Sequence, residues 1–200
     1  MEKKFYIIMG RSGGGKGTQV ELFKKYLEEK GYENVLHVTT GGGFRTFIQS
    51  EGHVADLARE VNDRGGLQPE FLAIWNWSNA FINSLKGNET VILDGAPRMP
   101  VELETLRTAI PFLSYNGATI IHLEVSEAWA IDKLTSRGRS DDKDMDAMMR
   151  KMKWFNDHVY PCIQTYEKDE AYSFISVNGE QTVEQVHAEL VAKLEALEAK

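Results

Sequence analysis

Gly10-Arg11-Ser12-Gly13-Gly14-Gly15-Lys16-Gly17-Thr18 is the stretch whose reading decides the fold. It follows a short apolar run over 5–9, the mark of a buried parallel strand. It precedes a helical pattern over 16–30 that stops before Gly31. Strand, glycine-rich turn, lysine and helix in that order make a loop able to cradle phosphate. Glycines let the backbone turn tightly and point successive amides at phosphate oxygens. The helix N-terminus directs a partial positive charge at the same anion. Lys16 then reaches the β- and γ-phosphates as a mobile point charge. A glycine-rich turn that holds nothing is the alternative, and it leaves the lysine and its flanking elements unexplained.

Outward from this loop, apolar runs and helical periods alternate. Further strands are expected over 35–38, 90–93, 118–125 and 172–177. Helices are expected over about 44–50, 53–64, 68–86, 101–109, 127–137, 142–168 and 182–198, with a capping box of Thr182 and Gln185 opening the last. Strands separated by helices imply an α/β fold: a five-stranded parallel sheet flanked by helices. Four tryptophans (75, 77, 129, 154) at helical spacing read as core or near-core.

Composition narrows the function. The chain has 200 residues, 42% hydrophobic and 26% charged, the profile of a globular domain. A net charge of −7 argues against general nucleic-acid binding and against adhesion to anionic membranes. Cys162 is the only cysteine, so an intrachain disulfide is impossible and a reducing compartment fits. Its apolar helical setting reads as packing. The apolar run near the N-terminus breaks at Gly10 and Arg11, too early for a signal peptide, and no run is long enough to span a bilayer. A cytoplasmic location is expected.

The Gly15-Lys16-Gly17-Thr18-Gln19 ending closely resembles adenylate kinases and their UMP/CMP kinase relatives. It departs from the general phosphate-loop pattern, because Gly17 rather than Ser or Thr follows the lysine. The resemblance implies that Gly13, Gly14, Gly15, Lys16, Gly17 and Thr18 hold ATP, and that magnesium is bound mainly by phosphate oxygens and water. Ser12 stands where the family usually has proline, a change that should loosen the turn but keep its amides.

Three further stretches carry the resemblance over nearly the whole chain. Thr39-Thr40-Gly41-Gly42-Gly43-Phe44-Arg45 resembles the acceptor-binding segment after the second strand. By that match Thr40 lies by the adenine and Arg45 grips the α-phosphate, a task suited to a planar, bidentate guanidinium. Gly42 stands where an acidic residue is usual, which should make this loop more flexible. Gly66-Leu67-Gln68-Pro69 resembles the stretch whose backbone closes over the acceptor base. Leu67 is either a base contact or a core leucine at a helix start.

Asp94-Gly95-Ala96-Pro97-Arg98 directly follows the third strand, where ligands collect in such folds. A carboxylate there can hold magnesium-bound water, and Arg98 can hold the acceptor phosphate. The family normally has an aromatic residue at Ala96. Four residues beyond Arg98 the family has an adenine-reading glutamine, and this chain has Glu102. A carboxylate only accepts hydrogen bonds, so it faces the adenine N1 lone pair with another lone pair. Guanine would suit it better, and the alternative is that Glu102 turns to solvent.

Arg137-Gly138-Arg139-Ser140-Asp141-Asp142 resembles the lid of the short-lid adenylate kinases. Arg137, Arg139 and Arg150 match family arginines that close on the phosphates, with Asp141 and Asp142 expected to pair with the lid arginines. Lys133 stands where the family usually stacks an arginine on the ATP adenine. With no Cys or His cluster here, no zinc is expected.

The resemblance implies a P-loop NTPase type of fold in one nucleoside monophosphate kinase domain. Its core would comprise 1–39, 70–136 and 143–200, its acceptor-binding insert 40–69 and its short lid 137–142. The expected reaction is magnesium-dependent transfer from ATP to AMP, with GMP, CMP or UMP as alternative acceptors. The catalytic set would be Lys16, Arg98, Arg137, Arg139 and Arg150. The acceptor set would be Thr40, Arg45, Gly66, Leu67, Gln68, Gly95, Ala96, Pro97, Arg98, Glu102, Arg139 and Arg150, with Asp94 acting on the metal through water. A monomer is expected. A phosphate-loop protein that binds ATP without transferring phosphoryl is the distant alternative; it has no need of Arg45, Arg98 or the Thr40 segment.

Overall fold

Residues 5–9 do form the central strand. The computed structural model describes residues 2–138, 142 and 144–199 of the chain. Five strands, β1 (Phe5–Gly10), β2 (Val35–Thr39), β3 (Thr90–Asp94), β4 (Thr119–Glu124) and β5 (Ser173–Asn178), pair in the order β2-β3-β1-β4-β5. Every pairing is parallel. The helices are α1 (Lys16–Glu29), α2 (Thr40–Phe47), α3 (His53–Asp63), α4 (Glu70–Ser84), α5 (Pro100–Phe112), α6 (Glu127–Arg137), α7 (Met145–Trp154), α8 (Tyr160–Lys168) and α9 (Val183–Glu198).

Because successive side chains of a strand face opposite ways, β1 feeds two cores. Phe5, Ile7 and Met9 pack with residues of α4, α5 and α8, while Tyr6 and Ile8 pack with residues of α1 and α9. All five are essentially buried, which is why the strand reads as a continuous apolar run rather than an alternation. Thr182 and Gln185 form the expected capping box on α9.

Two helices depart from expectation. The 39–45 segment, read as a flexible loop, is helical from Thr40. The Thr39 hydroxyl caps it by accepting from the Gly42 N–H at 3.4 Å. Its glycines serve close approach: a Cβ on Gly43 would lie 2.1 Å from Asn76 Oδ1 in α4, and one on Gly42 would lie 2.6 Å from Thr39 Cγ2. The helix expected over 142–168 is interrupted by one wide π turn, Phe155–Val159, in which the Tyr160 N–H donates to the Phe155 carbonyl five residues back. Pro161 lacks an N–H and so cannot hold the regular ladder together at this point.

The sheet order sets the site. The connection leaving β1 runs toward β2, and the one leaving β3 crosses to β4, so a crevice opens between the carboxyl ends of β1 and β3. Ile8 is in register with Asp94, and the Gly95 N–H donates to the Ile8 carbonyl at 3.3 Å. The glycine-rich loop and the 94–98 loop therefore leave the sheet side by side.

Candidate active site

The glycine-rich loop is shaped by how close it lies to α6. Gly13 has φ +87°, and a Cβ there would meet the Ala130 carbonyl oxygen at 2.4 Å. Gly15 (φ +81°) begins α1, which has no side-chain cap and no acidic residue in its first turn. Its opening amides are thus left for an anion. Lys16 Nζ donates to the carbonyls of Gly10 (2.8 Å) and Arg11 (3.0 Å), folding back over its own loop. Gly17 and Thr18 are exposed. Gln19 is buried and donates to the Val183 carbonyl at 2.9 Å, which ties α1 to α9.

The 94–98 loop forms the opposite wall. Burial pushes the Asp94 carboxyl upward, but the adjacent His37 imidazole and the charges of Lys16 and Arg98 outweigh it and hold it below the usual carboxylate range. His37 Nε2 lies 3.8 Å from Asp94 Oδ2, while Oδ1 is buried with no hydrogen-bond partner. A buried carboxylate oxygen with spare acceptor capacity suits a metal-bound water. The Ala96–Pro97 peptide is cis, and Ala96 is fully buried. Arg98 Nε donates to the Gly95 carbonyl at 2.7 Å, Nη2 donates to Thr40 Oγ1 at 3.2 Å, and the guanidinium lies 5.9 Å from the Trp154 ring centre.

Thr40, expected beside an adenine, is only 3% exposed. Its hydroxyl donates to the Gly95 carbonyl at 2.9 Å and accepts from Arg98. Its side chain braces the arginine. Glu102 turns neither to solvent nor into the cleft lining. It is 1% exposed, its Oε1 accepts from the Arg98 backbone N–H at 3.0 Å, and the Trp77 indole is a neighbour. Burial raises its carboxyl above the usual range despite the neighbouring Arg98 charge.

Lys16, Ser12, Gly95, Pro97, Arg98 and Lys151 meet in one cleft, closed on one side by Trp154, Phe155 and Val159 of the wide turn and its approach. Arg11 fastens that turn to the loop: it donates to the Val125 carbonyl (3.2 Å) and to Asn156 Oδ1 (2.8 Å) and lies over the Phe155 ring at 4.3 Å.

The other expected residues lie outside this lining. Arg45 is exposed on α2, with Nη1 near Gly41. Gly66 donates to the Val61 carbonyl at 2.9 Å, and Gln68 Nε2 donates to the Ala58 carbonyl at 2.8 Å, so both pin the 64–69 link onto α3. Leu67 is half-buried and belongs to none of the buried core clusters. Arg150 is exposed on α7 and faces Gly65, where a Cβ would lie 3.2 Å from its guanidinium. Lys133 lies over the Trp129 ring at 4.7 Å. Arg137 Nε donates to Asp142 Oδ2 at 2.6 Å, the pairing expected for Asp142. Arg139 and Asp141 lie outside the described residues.

Sequence reasoning gave no site role to His37, Arg11, Trp154 or Lys151. Only Lys151 carried a legible signal. It shares the apolar face of α7 with Ala147, Met148 and Met152, where a lysine is out of place.

A family model described as Adenylate kinase matches residues 8–171. The chain is similar to the adenylate kinase of Campylobacter curvus, with 29% identity over 98% of this chain and 100% of that protein. It is similar to that of Bacteroides thetaiotaomicron at 28% identity, covering 96% and 98% of the two chains. Against that of Flavobacterium psychrophilum the identity is 27%, over 90% and 92%. The matched span contains the loop at 10–18, the loop at 94–98 and the arginine-bearing helices, and on this basis the chain belongs to the adenylate kinase family.

Proposed function

We propose that this chain transfers the terminal phosphoryl group of ATP to AMP, giving two ADP. The single observation that carries the reading is the meeting of Lys16, after β1, with Arg98, after β3, in one cleft. Phosphoryl transfer needs reactants held in line and cations spread over the moving charge. A phosphate oxygen of the acceptor attacks the γ-phosphorus while the bond to the β–γ bridging oxygen breaks, and ADP leaves with that oxygen. The acceptor phosphate is already a nucleophile, so the residues supply position and charge and no base.

In this reading the amides of Gly13, Gly14, Gly15, Gly17 and Thr18 and the Lys16 ammonium take the ATP phosphates, and Arg98 takes the acceptor phosphate. Arg45, Arg137, Arg139 and Arg150 join when the segments around 40–69 and 137–142 close, acting as acceptor insert and lid over the remaining core. Gly66, Leu67 and Gln68 offer the acceptor base their backbone and one apolar face, and Lys133 with Trp129 flanks the donor base. Magnesium arriving with ATP screens the phosphate charge; Asp94, charged and with an unpartnered buried oxygen, would hold one of its waters. Closure excludes bulk water, which would compete as acceptor.

Among the described residues no helix is long and apolar enough to cross a membrane. We place the reaction in the cytoplasm and assign it to a monomer. The test is a panel of AMP, GMP, CMP and UMP with ATP-magnesium. Fastest turnover with AMP is expected. Preference for another base would move the acceptor assignment, and turnover with none would remove the transferase reading.

A further inference from the structure

Burying a lysine ammonium is costly unless it is paired and hydrogen-bonded. Lys151 is only 7% exposed on the otherwise apolar inner face of α7, where a leucine would pack at no such cost. Its Nζ lies 2.7 Å from Asp142 Oδ1. The Asp142 side chain is fully buried, and its other oxygen accepts from Arg137 Nε at 2.6 Å. One carboxylate therefore orients two cations from two helices. Lys151 also lines the cleft that holds Lys16, Arg98 and Ser12. Neutralising Asp142 does not by itself require a place on the cleft wall, since Arg137 already pairs with that carboxylate from α6. An ammonium carries three donors, so it can serve a carboxylate and a phosphate oxygen together.

We propose that Lys151 is a further phosphate-binding cation of this cleft, touching the phosphate chain together with Lys16 and Arg98, with Asp142 holding its ammonium in position. The proposal rests on the reading of the cleft as a phosphate site and extends it to a residue on α7. It also links the cleft to Arg137 of α6 through a shared carboxylate.

Inorganic tripolyphosphate is the probe, because it presents a phosphate chain without base or sugar. Lys151→Met should weaken its binding to the full chain about tenfold or more by calorimetry, the scale of one lost bond to a charged group. The kcat for ATP with AMP should fall by a similar factor or more. Asp142→Asn combined with Lys151→Met removes both charges of the pair, so the fully buried carboxylate is not left with one cation where it had two. The double variant should recover thermal stability relative to Lys151→Met but not tripolyphosphate affinity. Wild-type affinity in either variant would overturn the proposal. If the variants do not fold, the Lys151 ammonium resonance of the wild-type chain decides: it should shift on adding tripolyphosphate, and an unmoved resonance overturns the assignment. Loss of tripolyphosphate binding in Lys151→Met, with a wild type that phosphorylates no monophosphate, would sink the transferase reading while leaving this one standing.

Discussion

Glu102 accepts a hydrogen bond from the Arg98 backbone N–H at 3.0 Å from a position almost wholly removed from water. The carboxyl thus lies beneath the loop that presents Arg98. Burial holds its pKa above the usual carboxylate range, so the folded chain binds this proton more tightly than the unfolded chain does. By linkage, stability falls as pH rises from the ordinary carboxylate value through the raised one, and the full penalty is present above it. Glu102→Gln keeps an acceptor for the Arg98 N–H and removes the charge. The variant should melt above the wild type at pH 8, with the gap narrowing steadily as pH is lowered to 5. Melting curves across that range check it, and a gap that widens on acidification contradicts the assignment. A rise in kcat/KM for AMP on the order of 1–3 kcal/mol in the same variant would instead make this side chain the reader of the base.

Thr40 links two segments that the chain separates by more than fifty residues, donating to Gly95 and accepting from Arg98. Thr40→Val keeps the shape and deletes the hydroxyl, leaving a carbonyl and a guanidinium N–H with one partner fewer. Stability should drop by about 1–3 kcal/mol, and KM for the acceptor should rise with a smaller change in KM for ATP. Equal effects on both nucleotides would show that Thr40 does not act through Arg98.

Gly43 and Gly41 should respond with opposite signs. Replacing a glycine by alanine inside a helix ordinarily stabilises by roughly 0.5–1 kcal/mol. At Gly41 the nearest atom to the new Cβ is the mobile end of Arg45, 3.3 Å away, so Gly41→Ala should follow that rule. At Gly43 the new Cβ would sit 2.1 Å from Asn76 Oδ1, on a buried side chain whose Nδ2 donates to the Thr40 carbonyl. Gly43→Ala should therefore destabilise by about 1–3 kcal/mol. Denaturant titrations of the two variants provide the comparison.

Lys16 Nζ donates to the carbonyls of Gly10 and Arg11, at the turn that precedes its own helix. Lys16→Met should lower kcat by about 10²–10³-fold, the scale seen when one donor to developing negative charge is removed. Far-UV circular dichroism should be unchanged, because the side chain contributes nothing to either core. Activity within threefold of wild type, a loss of well under 1 kcal/mol, would contradict a phosphate role.

The order of elements and the two ligand-bearing loops were legible in the chain itself. Residues 5–9 read as a buried strand because parallel strands are apolar on both faces, and the glycines before Lys16 mark a turn that few other residues can make. All five strands and the α9 capping box came from such local rules. Local rules failed where a distant neighbour decided the outcome. Gly41, Gly42 and Gly43 look like a flexible loop until α4 approaches with Asn76, and the single helix expected over 142–168 opens into a wide turn beside Pro161. The inward turn of Glu102, the use of the Thr40 hydroxyl as a brace for Arg98, and the presence of Lys151 in the cleft are tertiary facts. They depend on packing between segments far apart in sequence, which sets whether a polar side chain meets water, a backbone amide or another charge. Sequence determined which residues could carry phosphate chemistry; the crevice between β1 and β3, and the helices packed around it, decided which of them share one cleft.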